Sequence, residues 1–92
     1  MADIILRMYE TTIEDAIILR VAAGTTGLMG GDAGHGGETI IEIENEQNAG
    51  AIFFGRPRNN LLRISLGGDA ELRVMIKAME HITKTLRREM GE

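Results

Sequence analysis

The chain has 92 residues, a length that predicts one domain spanning residues 1–92. Hydrophobic residues make up 43% of it and aromatic residues only 3%, which indicates a globular protein with an aliphatic core. The net charge of −4 argues against general nucleic-acid binding, and the absence of cysteine excludes disulfides and thiolate zinc sites.

The first residues do not resemble a targeting segment. Asp3 precedes a brief apolar run, which is unlike a secretory signal. No apolar run approaches the roughly 20 residues that span a bilayer. We therefore expect a cytoplasmic protein with no membrane partner.

Two strands are predicted before the glycine-rich part of the chain. Residues 4–10 predict a strand with Ile4, Leu6 and Met8 on one side and Ile5, Arg7 and Tyr9 on the other. Residues 12–15 resemble a helix capping box, so a short helix that begins at Ile13 is an alternative prediction. Residues 17–23 are rich in β-branched side chains and predict a second strand, which Gly24 ends.

Three further strands are predicted after the glycine-rich loop. Residues 38–44 alternate as a half-buried strand, and residues 51–54 come after a polar turn as its hairpin partner. Residues 56–60 contain the single proline and two asparagines, which is the composition of a turn. Residues 61–66 alternate again as the last strand.

A long helix is predicted from Asp69, which is a good N-cap residue and places negative charge at the positive end of the helix dipole. Apolar residues recur behind it at spacings of three and four and form one stripe. That stripe comprises Leu72, Met75, Ile76, Met79, Ile82, Leu86 and Met90. The predicted fold class is α+β, with an antiparallel sheet of about four to five strands and one long C-terminal helix packed on one face.

The second face of the predicted sheet is also partly apolar. It carries Ile5, Ile18, Ile40, Phe53 and Leu61. One helix cannot cover both faces, so we expect a homo-oligomer, most simply a twofold dimer. The alternative is a sheet that curls into a small barrel and buries the second face itself.

The loop of residues 24–37 is the candidate site, because it holds seven of the twelve glycines. Gly-Gly-Asp-Ala occurs in it at residues 30–33 and again at residues 67–70. Free backbone N–H groups in such turns can bind phosphate or carboxylate. Asp32 and Asp69 would repel a phosphate unless they bind another group or cap backbone donors, and capping is the interpretation we favour for Asp69.

His35 is the most suggestive side chain of the loop, since Gly34 and Gly36 flank it and leave room for a ligand. Histidine can donate to a phosphate, transfer a proton or bind a metal, although a loop histidine is as often without a role. Arg56 and Arg58, beside Pro57, form a cationic turn able to bind an anionic ligand, although such a pair is more often a solvated loop. The predicted ligand-binding residues are Thr25, Thr26, Gly30, Gly31, Asp32, Gly34, His35, Gly36, Gly37, Arg56 and Arg58.

The sequence lacks the motifs of common nucleotide enzymes. No Gly-Lys-Ser/Thr follows the loop glycines, and the loop does not fit a dinucleotide-binding strand–turn–helix unit. Asp32 and His35 supply two potential metal ligands without a matching pair, so no metal and no cofactor are predicted.

The leading hypothesis is a small non-catalytic, homo-oligomeric binding protein that holds a small anionic, nucleotide-derived ligand in the glycine-rich loop. Such a protein would act as a sensor or a sequestering protein, a class that includes phage-encoded proteins that remove a host signalling nucleotide. One alternative is a protein–protein interaction or structural module. The second alternative is a small hydrolase in which His35 acts as acid or base and Asp32 orients it.

Overall fold

A computed structural model describes residues 6–15, 17–46, 52, 54–55 and 60–91. Its four strands are β1 (Tyr9–Glu14), β2 (Ile18–Thr25), β3 (Glu38–Glu44) and β4 (Leu61–Gly67), and its helix is α1 (Asp69–Glu89). The strands form one antiparallel sheet in the order β1-β2-β3-β4, so each strand pairs with its neighbour in sequence. The predicted α+β arrangement of an antiparallel sheet and one C-terminal helix is confirmed.

The first strand lies further along the chain than predicted. Residues 6–8 precede it, and residues 1–5 lie outside the described part of the chain. Thr11 and Thr12 continue the strand and pair with Val21 and Arg20. Their β-branched side chains suit the pleat, so the alternative of a helix from Ile13 is also wrong.

The other predicted strands agree better with the structure. β2, β3 and β4 match their predicted ranges to within two residues. The strand predicted at residues 51–54 lies largely outside the described residues. The register places Val21 beside Ile43 and Ile43 beside Leu62, so their side chains share one apolar face of the sheet.

Helix α1 lies beside this apolar face and approaches the sheet most closely at β4. A groove of about 530 Å³ separates the two, and Leu72, Ile76 and Met79 line its helix side. Among the described residues, Ala22 is the one hydrophobic residue that is buried, at 5% exposure. The other described hydrophobic residues of the single chain are half-buried or exposed.

The second face of the sheet carries Ile18, Ile40 and Leu61, as the alternation predicted, together with a cluster of charged residues. Arg20 lies at its centre, with its Nε 2.9 Å from Oε1 of Glu44 and its Nη1 3.4 Å from both Oε1 of Glu42 and Oε2 of Glu10. Glu46 lies 3.7 Å from the same Nε. The hydrogen bond to Glu44 is the largest of the effects that raise the pKa of Arg20.

Candidate functional site

The glycine-rich loop connects β2 to β3, and two residue pairs, Thr25 with Thr39 and Thr26 with Glu38, close its base. The hydroxyls of Thr25 and Thr39 lie 2.8 Å apart. The backbone N–H of Glu38 donates to Oγ1 of Thr26 at 3.0 Å, and the N–H of Thr26 donates to the carbonyl of Glu38 at 3.0 Å. These bonds hold together the two ends of the loop where the strands separate.

The two Gly-Gly-Asp-Ala segments lie against each other at the start of helix α1. The carboxylate of Asp69 accepts hydrogen bonds from the N–H groups of Met29 at 2.8 Å and Gly30 at 2.7 Å. In the opposite direction, the carboxylate of Asp32 accepts from the N–H of Ala70 at 2.8 Å. The repeat therefore marks two segments that bind each other.

Glu71 adds a third carboxylate to this contact. Its two oxygens accept from the N–H of Ala33 at 3.1 and 2.9 Å. Backbone bonds reinforce the contact: the N–H of Asp69 donates to the carbonyl of Gly31 at 2.6 Å, and the N–H of Gly34 donates to the carbonyl of Gly67 at 2.7 Å. The loop is thus tied to the helix by both side-chain and backbone bonds.

Glycine is required at residue 68, where the two segments come closest. Gly68 has a φ of 129°, in the region that side chains disfavour. A Cβ there would lie 2.9 Å from Cα of Asp32 and from the backbone nitrogen of Ala33, and would also collide with the Glu71 carboxylate. Gly68 therefore permits both the turn into the helix and the close approach of the loop.

The start of α1 differs from the predicted one. The N-cap residue is Gly68, without a side-chain cap, and Asp69 is the first helical residue. Its carboxylate faces the loop, while Asp32 satisfies one of the free N–H groups of the first helical turn. The repeat was visible in the sequence, but the exchange of partners between its two copies was not.

Asp69 is the most strongly perturbed carboxyl group of the site. It is 7% exposed, and burial alone would raise its pKa. The hydrogen bond from the N–H of Met29 is the largest effect, and with those from Gly30 and Gly37 and the charge of Arg73 it lowers the pKa below the usual 3.8. Asp69 is thus a buried carboxylate that backbone donors keep charged.

The carboxylates of Asp32, Asp69 and Glu71 accept hydrogen bonds from backbone N–H groups that an anionic ligand would otherwise use. The N–H groups of Gly30 and Gly34 already donate within the chain. The N–H of His35 donates to the carbonyl of Asp32 at 3.1 Å. An anionic ligand would have to displace these partners to use the same donors, so side-chain cations are the better recognition groups.

The predicted site residues divide into three groups. Thr25 and Thr26 form the base of the loop, and Gly30, Gly31 and Asp32 contact the start of the helix. Gly34 is exposed and belongs to the same contact through the bond from its N–H to the carbonyl of Gly67. His35 and Gly36 are exposed, and Gly37 is buried. Arg56 and Arg58 lie outside the described residues.

The described part of the chain contains no group of three or more His, Asp or Glu side chains that could hold a metal ion. His35 and His81 lie apart in the fold, one in the loop and the other on the exposed side of α1. His81 contacts Thr85, its neighbour one turn along the helix, at 3.5 Å.

Sequence reasoning missed the groove between the sheet and the helix. Its floor is formed by the apolar face of β2 and β3, including Val21, Ile41 and Ile43. Tyr9 also lines it and is 68% exposed. The alternation of the strands and the apolar stripe of the helix predicted the two surfaces that line the groove. Sequence patterns cannot show the distance between those surfaces.

Comparison with known proteins yields no match, either to a protein family, to a curated protein or to a solved structure. In the described residues, no helix is long and apolar enough to cross a membrane.

Proposed function

We propose that this chain is a non-catalytic, homo-oligomeric binding protein that holds a small anionic ligand at the glycine-rich loop. One observation carries the proposal: Asp32, Asp69 and Glu71 fix the loop against the helix. A loop held in one conformation loses little conformational entropy when it binds a ligand, whereas a mobile connection would lose much more. Such a fixed loop suits a binding site.

The ligand class is inferred from the side chains of His35, Arg56 and Arg58, since the acidic residues at the loop do not themselves favour an anion. His35 is exposed in the loop, and none of the hydrogen bonds among the described residues involves its ring. An imidazole in that position can donate to a phosphate. Because the chain's own carboxylates occupy several loop amides, we assign anion recognition to His35 with Arg56 and Arg58. A nucleotide-derived ligand fits this use of side-chain cations.

The test combines native mass spectrometry with calorimetry. Protein purified without denaturation should appear as a multimer, with extra mass that denaturation releases. Calorimetry against nucleotides and cyclic dinucleotides should detect binding tighter than millimolar. His35→Ala should weaken that binding at least tenfold, whereas His81→Ala, which changes an exposed histidine on the helix, should not.

Two results would contradict the proposal. If no nucleotide or cyclic dinucleotide binds above millimolar affinity, the nucleotide-derived ligand is excluded. If a bound compound is converted to a product and His35→Ala abolishes the conversion in a folded protein, the chain is an enzyme with a histidine acid or base. Recovery of the ligand unchanged after prolonged incubation supports sequestration.

The second candidate function is a protein–protein interaction module. The apolar residues of α1 favour it, since Ile82 is 56% exposed and Leu86 is 62% exposed. In that case a protein partner should co-purify with the chain, and no small ligand should raise the melting temperature.

A further inference from the structure

Helix α1 separates its charged residues from one broad uncharged face. With Leu72, Met79 and Leu86 at position a of a seven-residue repeat, positions a, d, e and g from residue 72 to residue 86 carry no charge. The remaining positions carry Arg73, Val74, Lys77, Glu80, His81 and Lys84. A helix that packs on one core needs apolar residues at about three positions in seven, so a face with four uncharged positions in seven leaves room for a second packing partner beside the sheet.

The large apolar residues in the C-terminal part of this face are more exposed than those beside the groove, where Ile76 is 43% exposed. Met79 is 38% exposed, Ile82 56%, Leu86 62% and Met90 69%. The N-terminal half of the face borders the groove, which Leu72, Ile76 and Met79 line. The same surface therefore has a groove at its N-terminal end and an exposed apolar ridge at its C-terminal end, formed by Ile82, Leu86 and Met90. Met79 lies where the groove and the ridge meet.

We propose that the occupant of this groove is the C-terminal half of helix α1 from a second copy of the chain. The inference rests on the homo-oligomer of the proposed function and specifies its contact surface. A surface with a groove at one end and a ridge at the other complements itself when two copies run antiparallel about a twofold axis. Each ridge then fills the partner's groove.

The proposed helix pairing also explains why so few hydrophobic residues are buried in the single chain. Among the described hydrophobic residues, burial is confined to Ala22, so a single chain forms a small core for its length. The partner helix would cover both the apolar face of β2 and β3 and the stripe of α1. It would bring no charged side chain of positions 72–86 into the interface, which avoids the cost of burying unpaired charges.

The proposed axis fixes which residues meet across the interface. Met79 lies where the groove joins the ridge, so the twofold axis passes beside it and brings it next to its own copy. Antiparallel pairing about that point places Leu72 opposite Leu86 and Ile76 opposite Ile82. A parallel pair would instead place each residue beside its own copy along the whole helix.

Cysteine cross-linking tests this register, because the chain has no cysteine of its own. We expect Met79→Cys to form a disulfide-linked dimer under mild oxidation. Leu72→Cys mixed with Leu86→Cys should form the mixed dimer, while either variant alone should stay unlinked. Cross-linking of Leu86→Cys to itself, or no cross-linking of Met79→Cys, would overturn the antiparallel arrangement.

A charge substitution tests whether this face holds the copies together. Ile82→Lys should at least halve the mass of the assembly in sedimentation, since it buries a lysine in the interface. His81→Lys is the matched control, because it changes the adjacent residue on the charged side and should leave the mass unchanged. An Ile82→Lys protein with the wild-type mass would overturn the proposal.

These outcomes separate the two proposals. A wild-type multimer with the wrong cross-links contradicts the helix pairing and leaves the binding proposal standing. A wild-type monomer at micromolar concentration contradicts the homo-oligomer in both. If the expected cross-links form but the wild-type protein binds no nucleotide or cyclic dinucleotide, only the ligand proposal is contradicted.

Discussion

Asp32 and Asp69 each hold the segment that contains the other. The carboxylate of Asp32 binds the N–H of Ala70, next to Asp69, and the carboxylate of Asp69 binds the N–H groups of Met29 and Gly30, just before Asp32. Both carboxylates occupy positions where an isolated loop or helix would expose unpaired N–H groups to solvent. The glycine-rich loop and the first turn of α1 therefore form one structural unit.

Asp32 should stabilise a helix to which it does not belong. Its bond to Ala70 replaces a conventional N-cap, so Asp32→Ala should cost about 1 kcal/mol in the free energy of unfolding. Asp32→Asn keeps an acceptor oxygen and should retain most of the stability. Urea unfolding of both variants measures the difference. Equal stability of Asp32→Ala and the wild type would show that the cap has no energetic weight.

Asp69 should make the loop sensitive to acid. Its folded pKa is lower than 3.8, so its carboxylate stabilises the fold above pH 3.8, and this contribution is lost as the pH falls through the lower folded value. We expect the amide NMR signals of Met29 and Gly30 to shift with a midpoint below pH 3.8.

Two variants separate Asp69 from its neighbouring acid. Asp69→Asn should remove the transition at Met29 and Gly30, while Glu71→Gln should leave it in place, because Glu71 binds Ala33 instead. A midpoint at or above 3.8 in the wild type would refute the assigned direction of the pKa shift.

Gly68→Ala should destabilise the protein by about 1–3 kcal/mol, from the strained φ and the contacts that the new Cβ would make with residues 32 and 33. Gly91→Ala is the control. Gly91 also has a positive φ, of 93°, but no described atom lies within 4 Å of the position its Cβ would take. Thermal unfolding should show the larger loss for Gly68→Ala, and equal losses would mean that the close approach is unimportant.

Arg20→Gln should lower the melting temperature most at low ionic strength. The substitution leaves the carboxylates of Glu10, Glu42, Glu44 and Glu46 without their central cation. Added salt screens the resulting repulsion, since the Debye length falls to about 3 Å at 1 M. We expect the difference from wild type to shrink at high salt.

Arg63→Gln provides the comparison for Arg20. Arg63 has one described ion pair, with Glu42 at 3.5 Å, and its side chain is 59% exposed. Such pairs contribute about 0–1 kcal/mol. If Arg63→Gln lowered the melting temperature as much as Arg20→Gln does, a central role for Arg20 would be contradicted.

Much of the fold could be predicted from local patterns. The alternation in β2, β3 and β4 and the stripe of α1 come from side-chain periodicity, which is a property of neighbouring residues. The start of β1 could not be placed, because Thr11 and Thr12 suit both a strand and a helix cap, and pairing with Val21 and Arg20 decides between them.

The site shows the same division between local and long-range information. Glycine content located the loop, and the repeated tetrapeptide marked both partners. Spacing along the chain does not say which carboxylate binds which N–H, so the sequence alone favours an ordinary cap at Asp69. Its contact with Met29 joins distant parts of the sequence, and only the folded backbone brings them together.

Within the described residues, helix α1 is attached to the glycine-rich loop only at its first turn, so most of its length extends away from that attachment. Its 21 residues extend about 31 Å from the turn at which Asp69 binds Met29 and Gly30. A tilt of about 5° at that turn would carry the far end of a helix of this length through about 3 Å. A tilt at this turn, caused for example by protonation of Asp69, would therefore displace Leu86 and Met90 more than any residue near the loop.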